Sequence, residues 1–241
     1  MIVQPPDRLL PDRLKGNPIP IDYLLVDTGY PARQLAQLVR PGDPVSYAQP
    51  PLDTSGETLT GHTLDDRAAV AALTVCLDEL SHRPHSWDVW AVASTQEEVT
   101  LGGAFTSGFQ LHPSLAIAVD VTFAASPGSP SHMTFPLGKG PTLGWGPNIH
   151  PGLYRAFEET AKRVEIPYVM EPIPGNSGTD AIALQVVAEG IPSMVIGIPL
   201  RYMHTPVEIV SMKDITRTGR LLAEFVAGLD AGFMDKLTWD N

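Results

Sequence analysis

Residues 115–123 read Leu-Ala-Ile-Ala-Val-Asp-Val-Thr-Phe, an apolar run interrupted by one acid, Asp120. A run this short, nearly continuously apolar in its first half, is the pattern of a strand covered on both faces. Residues 192–199, Pro-Ser-Met-Val-Ile-Gly-Ile-Pro, read the same way, and residues 87–94, Trp-Asp-Val-Trp-Ala-Val-Ala-Ser, predict a further strand. Helical patterns lie between and after them. Residues 65–80 put Val70, Leu73, Val75, Cys76 and Leu80 mostly on one face, and residues 150–164 space Leu153, Phe157, Ala161 and Val164 at helical intervals. Residues 178–189 predict a helix closed by Gly190, and residues 211–229 a last helix with Ser211 and Asp214 as a capping pair. Apolar strands alternating with helices predict an α/β domain whose sheet is covered on both faces.

The first part of the chain differs. Up to about Gly56 it is dense in proline, and its apolar segments are confined to residues 23–26 and 44–47. That composition predicts short strands and turns, with one short helix over residues 31–39. The expected division is a small β-rich module over residues 1–57 and an α/β domain over residues 58–241.

Composition narrows the function. Among 241 residues, 43% are hydrophobic, 18% are charged and the formal net charge is -11. With no Lys/Arg cluster to offset it, that balance argues against nucleic acid and against an anionic membrane surface. No apolar run approaches the roughly 20 residues that span a bilayer. The single cysteine, Cys76, rules out an intrachain disulfide and fits a reducing compartment. Residues 1–15 lack the apolar stretch of a signal peptide, so a cytoplasmic protein is expected.

Polar clusters stand at the ends of the predicted elements, where open α/β sheets place their sites. Leu64-Asp65-Asp66-Arg67 opens a helix, and by itself it reads as an acidic helix N-terminus. Gln96-Glu97-Glu98 follows the strand at 87–94. Two adjacent carboxylates there are either a solvated turn or a pair held by a cation or a shared proton. Asp120 closes an apolar run, which is costly unless the acid is paired, metal-bound or already at the surface. Arg201-Tyr202-Met203-His204-Thr205-Pro206 follows the strand at 192–199. The other histidines, at 62, 82, 85, 112, 132 and 150, read as surface residues. Three carboxylates and one imidazole, without thiolates, suit zinc, cobalt or manganese. A glycoside hydrolase would need two carboxylates flanking a sugar. Adjacent Glu97 and Glu98 are awkward for that, and His204 would have no part in it.

In this order Leu-Asp-Asp-Arg (64–67), Gln-Glu-Glu (96–98), Ala-Val-Asp-Val-Thr (118–122), Gly-Thr-Asp-Ala (178–181) and Arg-Tyr-Met-His-Thr-Pro-Val-Glu (201–208) resemble the M42 family of metallopeptidases. These are glutamyl-aminopeptidase-like and tetrahedral aminopeptidases, some of them labelled endoglucanases. The resemblance implies a three-layer α/β/α sandwich of zinc-peptidase (phosphorylase/hydrolase-like) type, with a partial β-rich dimerisation domain in residues 1–57. It implies two divalent metal ions, zinc or cobalt with manganese as a third choice, acting on peptide substrates, and a homo-oligomer. Asp65 would bridge the ions, Glu98 and His204 would complete one site, and Asp120 would serve the other. Glu97 would be the general base, and Asp66, Asp180 and Arg201 would support the site or the substrate. The family's remaining ligand is a histidine in an early His-x-Asp motif. These residues contain no such motif, so the second metal site is expected to be one ligand short. Three arrangements stay open: a piece of a longer product, one half of a split enzyme, or a shortened relative with weak or no activity.

Overall fold

The structure is a computed structural model that describes residues 1–237. It forms two compact units, Met1–Tyr47 and the chain from Ala48 onward. In the first, β1 (Ile2–Val3) pairs antiparallel with β2 (Leu25–Val26), and α1 (Ala32–Leu38) follows. Pro6, Pro11, Pro20 and Pro31 each sit immediately before a helical turn, where a missing N–H costs nothing. Residues 44–47 carry no strand. The division falls earlier than the change in composition near Gly56, because the strand at Leu52–Thr54 is already paired into the second unit's sheet.

The second unit runs β3 (Leu52–Thr54), β4 (Thr58–Gly61), α2 (Leu64–Ser81), α3 (Glu97–Thr100), α4 (Gly102–Leu111), β5 (Ala116–Phe123), β6 (Thr142–Trp145), α5 (Pro151–Arg163), β7 (Val169–Pro172), α6 (Ala181–Leu184), β8 (Ser193–Arg201), β9 (Glu208–Ser211) and α7 (Met212–Ala227). Its seven strands form a mixed sheet in the order β3-β4-β9-β8-β6-β7, with β5 also paired to β8. β8 is the hub. It runs parallel to β5 from Ser193 to Leu200, antiparallel to β6 at Ile196 and Gly197, and antiparallel to β9 at Leu200 and Arg201. That central position explains why residues 192–199 are so apolar: Met194, Ile196, Ile198 and Leu200 are fully buried. Val121 of β5 packs with Ile198, Leu200 and the α2 face, while Ala116 packs with Val187 and Ile191 beyond α6. Helices therefore cover both faces, as an α/β fold requires.

Several expectations need correction. Residues 87–94 form no strand, because no described strand pairs with them. The buried face of α2 is Leu64, Ala68, Ala69, Ala72, Cys76 and Leu80, whereas Val70 is 47% exposed. The helix expected over 178–189 is only the single turn of α6, and the chain turns again at Ala188 and Gly190, both at positive φ. Ser211 makes no side-chain cap at the start of α7. Asp214 instead turns to the 138–140 loop and accepts hydrogen bonds from Gly138 N at 2.6 Å and Gly140 N at 2.7 Å. His150 is buried, as the N-cap of α5, with Nδ1 accepting from Gly152 N at 3.1 Å.

The α5 stripe is the best-read element: Leu153, Phe157 and Ala161 are fully buried, and Phe157 stacks on Phe225 of α7 with ring centroids 4.0 Å apart. Phe157→Ala should cost about 3–5 kcal/mol of unfolding free energy, read as a lower urea midpoint with an unchanged slope.

Candidate functional site

Local backbone geometry presents the acids. α2 starts after Thr63, whose φ is 56°, and Asp65 and Asp66 have non-helical dihedrals with a cis peptide between them. Asp66 does the ordinary work of an acid at a helix start, accepting from Ala69 N at 3.0 Å. Asp65 is thereby left to face the cleft. The Glu97–Glu98 pair opens the short α3 between Gln96 and Leu101, with φ of 63° and 56°. Gly103 anchors this turn: a Cβ there would lie 2.3 Å from Thr95 N, and its own N–H donates to Thr95 O at 2.8 Å. Tyr202 and His204, in the loop after β8, have φ of 57° and 62°. Non-glycine residues at positive φ are uncommon, and such strain gathers at functional sites.

One buried acid ties two of these pieces together. Glu208, the first residue of β9, is 2% exposed. Its Oε2 accepts from Leu64 N at 2.7 Å and Asp65 N at 3.2 Å, and its Oε1 accepts from His204 N at 3.0 Å. The start of α2 and the His204 loop are thus held by one carboxylate.

The result is a triad. Asp65 Oδ2 lies 3.0 Å from His204 Nε2, Glu98 Oε2 lies 3.4 Å from the same nitrogen, and the three ligand atoms are all within 4.8 Å of one another. Asp120 is not part of this triad. It lines the same cleft from β5, with Oδ1 accepting from Val121 N at 2.7 Å. The cleft encloses about 600 Å³ and is also lined by Glu97. Asp180 sits behind it: Oδ2 accepts from Ser94 Oγ at 2.5 Å, while Oδ1 is buried and accepts nothing from the described residues. Arg201 does not line the cleft, and its Nε donates to Ala125 O at 2.6 Å.

The electrostatics are those of acids forced together. Burial pushes the Asp120 carboxyl up to about 9, with Asp66, Glu97 and Asp65 adding repulsion. Burial likewise raises Asp66 to about 7 against the pull of the Ala69 N–H, and raises Glu97 to about 7 with help from Asp180 and Glu98. Asp65 rises to about 6 through burial and Glu98, despite the nearby imidazole. Two carboxylates and an imidazole within ligand range, in a field this negative, fit a borderline divalent cation such as zinc. Two residues of the site carry no role from sequence reading. Glu208 belongs to the quoted 201–208 motif, but two of its three contacts, Leu64 N and Asp65 N, lie far away in the chain. Glu171, on β7, also lines the cleft and gave no sequence signal.

A model of the family described as M42 glutamyl aminopeptidase matches residues 1–221. The chain is 37% identical over 221 residues to a lysyl aminopeptidase of Pyrococcus furiosus, covering 91% of this chain and 63% of that protein. It therefore spans less than two thirds of that relative's length. Among solved structures it resembles a TET aminopeptidase from a marine sediment thaumarchaeon, with TM-score 0.86, 27% identity and coverage of 99% of this chain and 69% of that one. An aminopeptidase of Desulfurococcus kamchatkensis matches at TM-score 0.86 and 29% identity, over 98% of this chain and 67% of that one.

Two measurements probe this construction. Glu208→Ala leaves three backbone N–H groups without their acceptor and should cost about 1–3 kcal/mol, seen in urea unfolding. The four raised carboxyls also give metal-free stability a pH signature. Their folded values, about 6 to 9, lie above the ordinary 3.8 and 4.5, so the folded state binds more protons. The stabilisation is complete below the ordinary values and is lost as pH rises through the folded ones. Melting temperature without metal should fall between mildly acidic and mildly alkaline pH, and added zinc or cobalt should flatten the trend.

Proposed function

Because this chain belongs to the M42 glutamyl aminopeptidase family, we propose that it carries the metal-binding and proton-transfer residues of an aminopeptidase, a hydrolase that removes residues from peptide N-termini. The Asp65–Glu98–His204 triad is the observation that carries this. These three side chains would hold one divalent ion, zinc or cobalt with manganese as the third choice. Asp120, beyond the triad but in the same cleft, would serve a second with Asp65. When bound, such ions supply Lewis acidity and lower the pKa of a nearby water towards neutrality.

The chain's own residues then have distinct tasks. Glu97, adjacent to Glu98 on the α3 turn, faces the same cleft. It would take the proton from the attacking water and return it to the leaving amine. Asp180 acts on Glu97 through its charge, and so favours its picking up that proton, while Asp66 would act by capping the start of α2 beside Asp65. Arg201 would act indirectly, by fixing the backbone at Ala125 beyond the end of β5. Glu208 keeps Asp65 and His204 in register. Self-association through residues 1–57, which resemble the family's dimerisation domain, and a cytoplasmic location belong to the same proposal.

A second arrangement has one specific support. Val89, Trp90 and Val92 in residues 87–94 are exposed, at 37%, 69% and 40%, and among the described strands β5 pairs only with β8. A further strand from beyond these 241 residues could cover both, making this chain one part of a larger site or a metal-binding subunit inactive by itself.

Aminoacyl-p-nitroanilide hydrolysis with added zinc or cobalt separates the two. Turnover supports the enzyme as it stands. A folded, metal-binding chain with no turnover supports the second arrangement. Where there is turnover, Glu97→Gln should lower kcat by about 10²–10⁴ while bound metal, measured by elemental analysis, stays at the wild-type level. Retained turnover would remove Glu97 from its role.

A further inference from the structure

Among the described residues, five carboxylates line the cleft: Asp65, Glu97, Glu98, Asp120 and Glu171. On the proposed reading the first four are ligands or the base, and Glu171 alone has no task. Its contacts span four strands. Strand register places Asp120 of β5 opposite Gly197 of β8, and Gly197 opposite Thr142 of β6. On the next strand Glu171 of β7 lies opposite Gly144 of β6. Its Oε2 accepts from Thr142 Oγ1 at 2.5 Å and its Oε1 from Thr122 Oγ1 at 2.7 Å. Gly197 leaves room for this, since a Cβ there would stand 2.3 Å from Thr142 Oγ1 and 3.0 Å from Glu171 Oε2. Thr122 and Asp120 share a face of β5, two residues apart. The Glu171 carboxylate is thus one hydroxyl away from the strand that carries a candidate ligand.

Among the described residues, only the two threonine hydroxyls donate to this carboxylate, and no cation faces it. An ionised carboxylate offers about four acceptor positions, so roughly half remain open. Burial pushes its carboxyl up, and the two hydroxyls pull it back down. An ammonium supplies both the missing charge and the missing donors. A peptide carries one at its N-terminus, about 2.5 Å from the carbonyl carbon of the same residue. An acid that holds it must share the cleft with the ligands and yet stay free of them. Glu171 does both. The other acids nearby do not: Asp66 and Asp180 stand outside the cleft lining, and one oxygen of each is already taken, by Ala69 N and by Ser94 Oγ.

We propose that Glu171 holds the α-ammonium of the peptide N-terminus, and so fixes which end of a peptide enters the cleft and how far. This rests on the cleft being a site for peptide N-termini. An internal stretch of peptide, or an N-acylated one, would present an uncharged amide there. The carboxylate would then be left desolvated and unpaired, and such ligands are discriminated against.

The test reads binding, not turnover. Isothermal titration of the zinc-loaded full chain with L-leucine hydroxamate and isocaproyl hydroxamate compares two ligands with the same side chain and the same chelating group. They differ only in the α-amine. The leucine ligand should bind at least about tenfold tighter, and Glu171→Gln should bring the two within about threefold by weakening the leucine ligand alone. Glu171→Asp, which keeps the charge, should retain part of the preference. Equal wild-type affinities overturn the proposal without recourse to any variant. A preference that survives intact in Glu171→Gln overturns it too, because the amine is then held elsewhere. Equal weakening of both ligands in both variants also overturns it, because that marks a purely structural carboxylate. Binding of neither hydroxamate removes the metal-site reading and this inference with it. Discrimination between the two without hydrolysis of any aminoacyl-p-nitroanilide keeps this inference and removes the enzymatic one.

Discussion

The buried carboxylate of Glu208 joins parts of the chain that lie 144 residues apart. A helix start and the loop after a strand both present backbone N–H groups without partners, and burying either alone would be costly. One carboxylate between them satisfies Leu64 and Asp65 on one side and His204 on the other. The geometry of the triad follows from this. Asp65 and His204 are neighbours because the peptide groups that carry them share an acceptor, and Glu98 then needs only to be brought up on its own turn.

That frame holds together groups that repel one another. Asp65, Asp66, Glu97 and Asp120 all have their carboxyls pushed up by burial, with further repulsion from Glu98 and Glu208 on Asp65 and from Asp65 on the other three. Nothing in the acids themselves would keep them close. The apolar hub strand β8 and its partner β5 do so from below, and left-handed residues at Thr63, Gln96, Leu101 and His204 do so from the loops. The packing of the sheet thus offsets repulsion in the cleft, which a bound cation would relieve.

What was legible in the sequence follows the physics of each element. β5 and β8 are covered on both faces, so their apolar runs stand out. α5 has one broad apolar stripe, so its period is visible. α2 was harder because it meets α7 through small residues: Ala68, Ala69 and Ala72 are buried, and a Cβ on Gly219 would fall 2.4 Å from Ala72 O. Backbones that close favour residues that a hydrophobicity pattern hardly registers. β3, β4, β6, β7 and β9 have three or four residues each and include Thr, Gly and Glu, too few positions to show an alternation. Residues 87–94 have a strand's composition, yet composition does not supply a partner. In the site, Asp65, Glu98 and His204 stood out only together, as acids and an imidazole at predicted element ends, and their separate roles came from the resemblance carried by five motifs in order. Glu208 and Glu171 could not, because what they do depends on partners brought up by the fold, such as Thr122, 49 residues from Glu171.

The same topology carries the triad and a further acid of the cleft, Glu171, on different supports. The triad residues stand on turns and on the start of a helix, fixed by Glu208 and Gly103. Glu171 stands within β7, which ends the strand order of the sheet. Its backbone has one neighbouring strand, β6, which holds none of the triad, but its side chain reaches past β6 to Thr122 of β5. The link between the two zones is narrow, running through Thr122 and Gly197 beside Asp120. Of the candidate ligands, it is Asp120, outside the triad, that lies closest along the sheet to the Glu171 carboxylate.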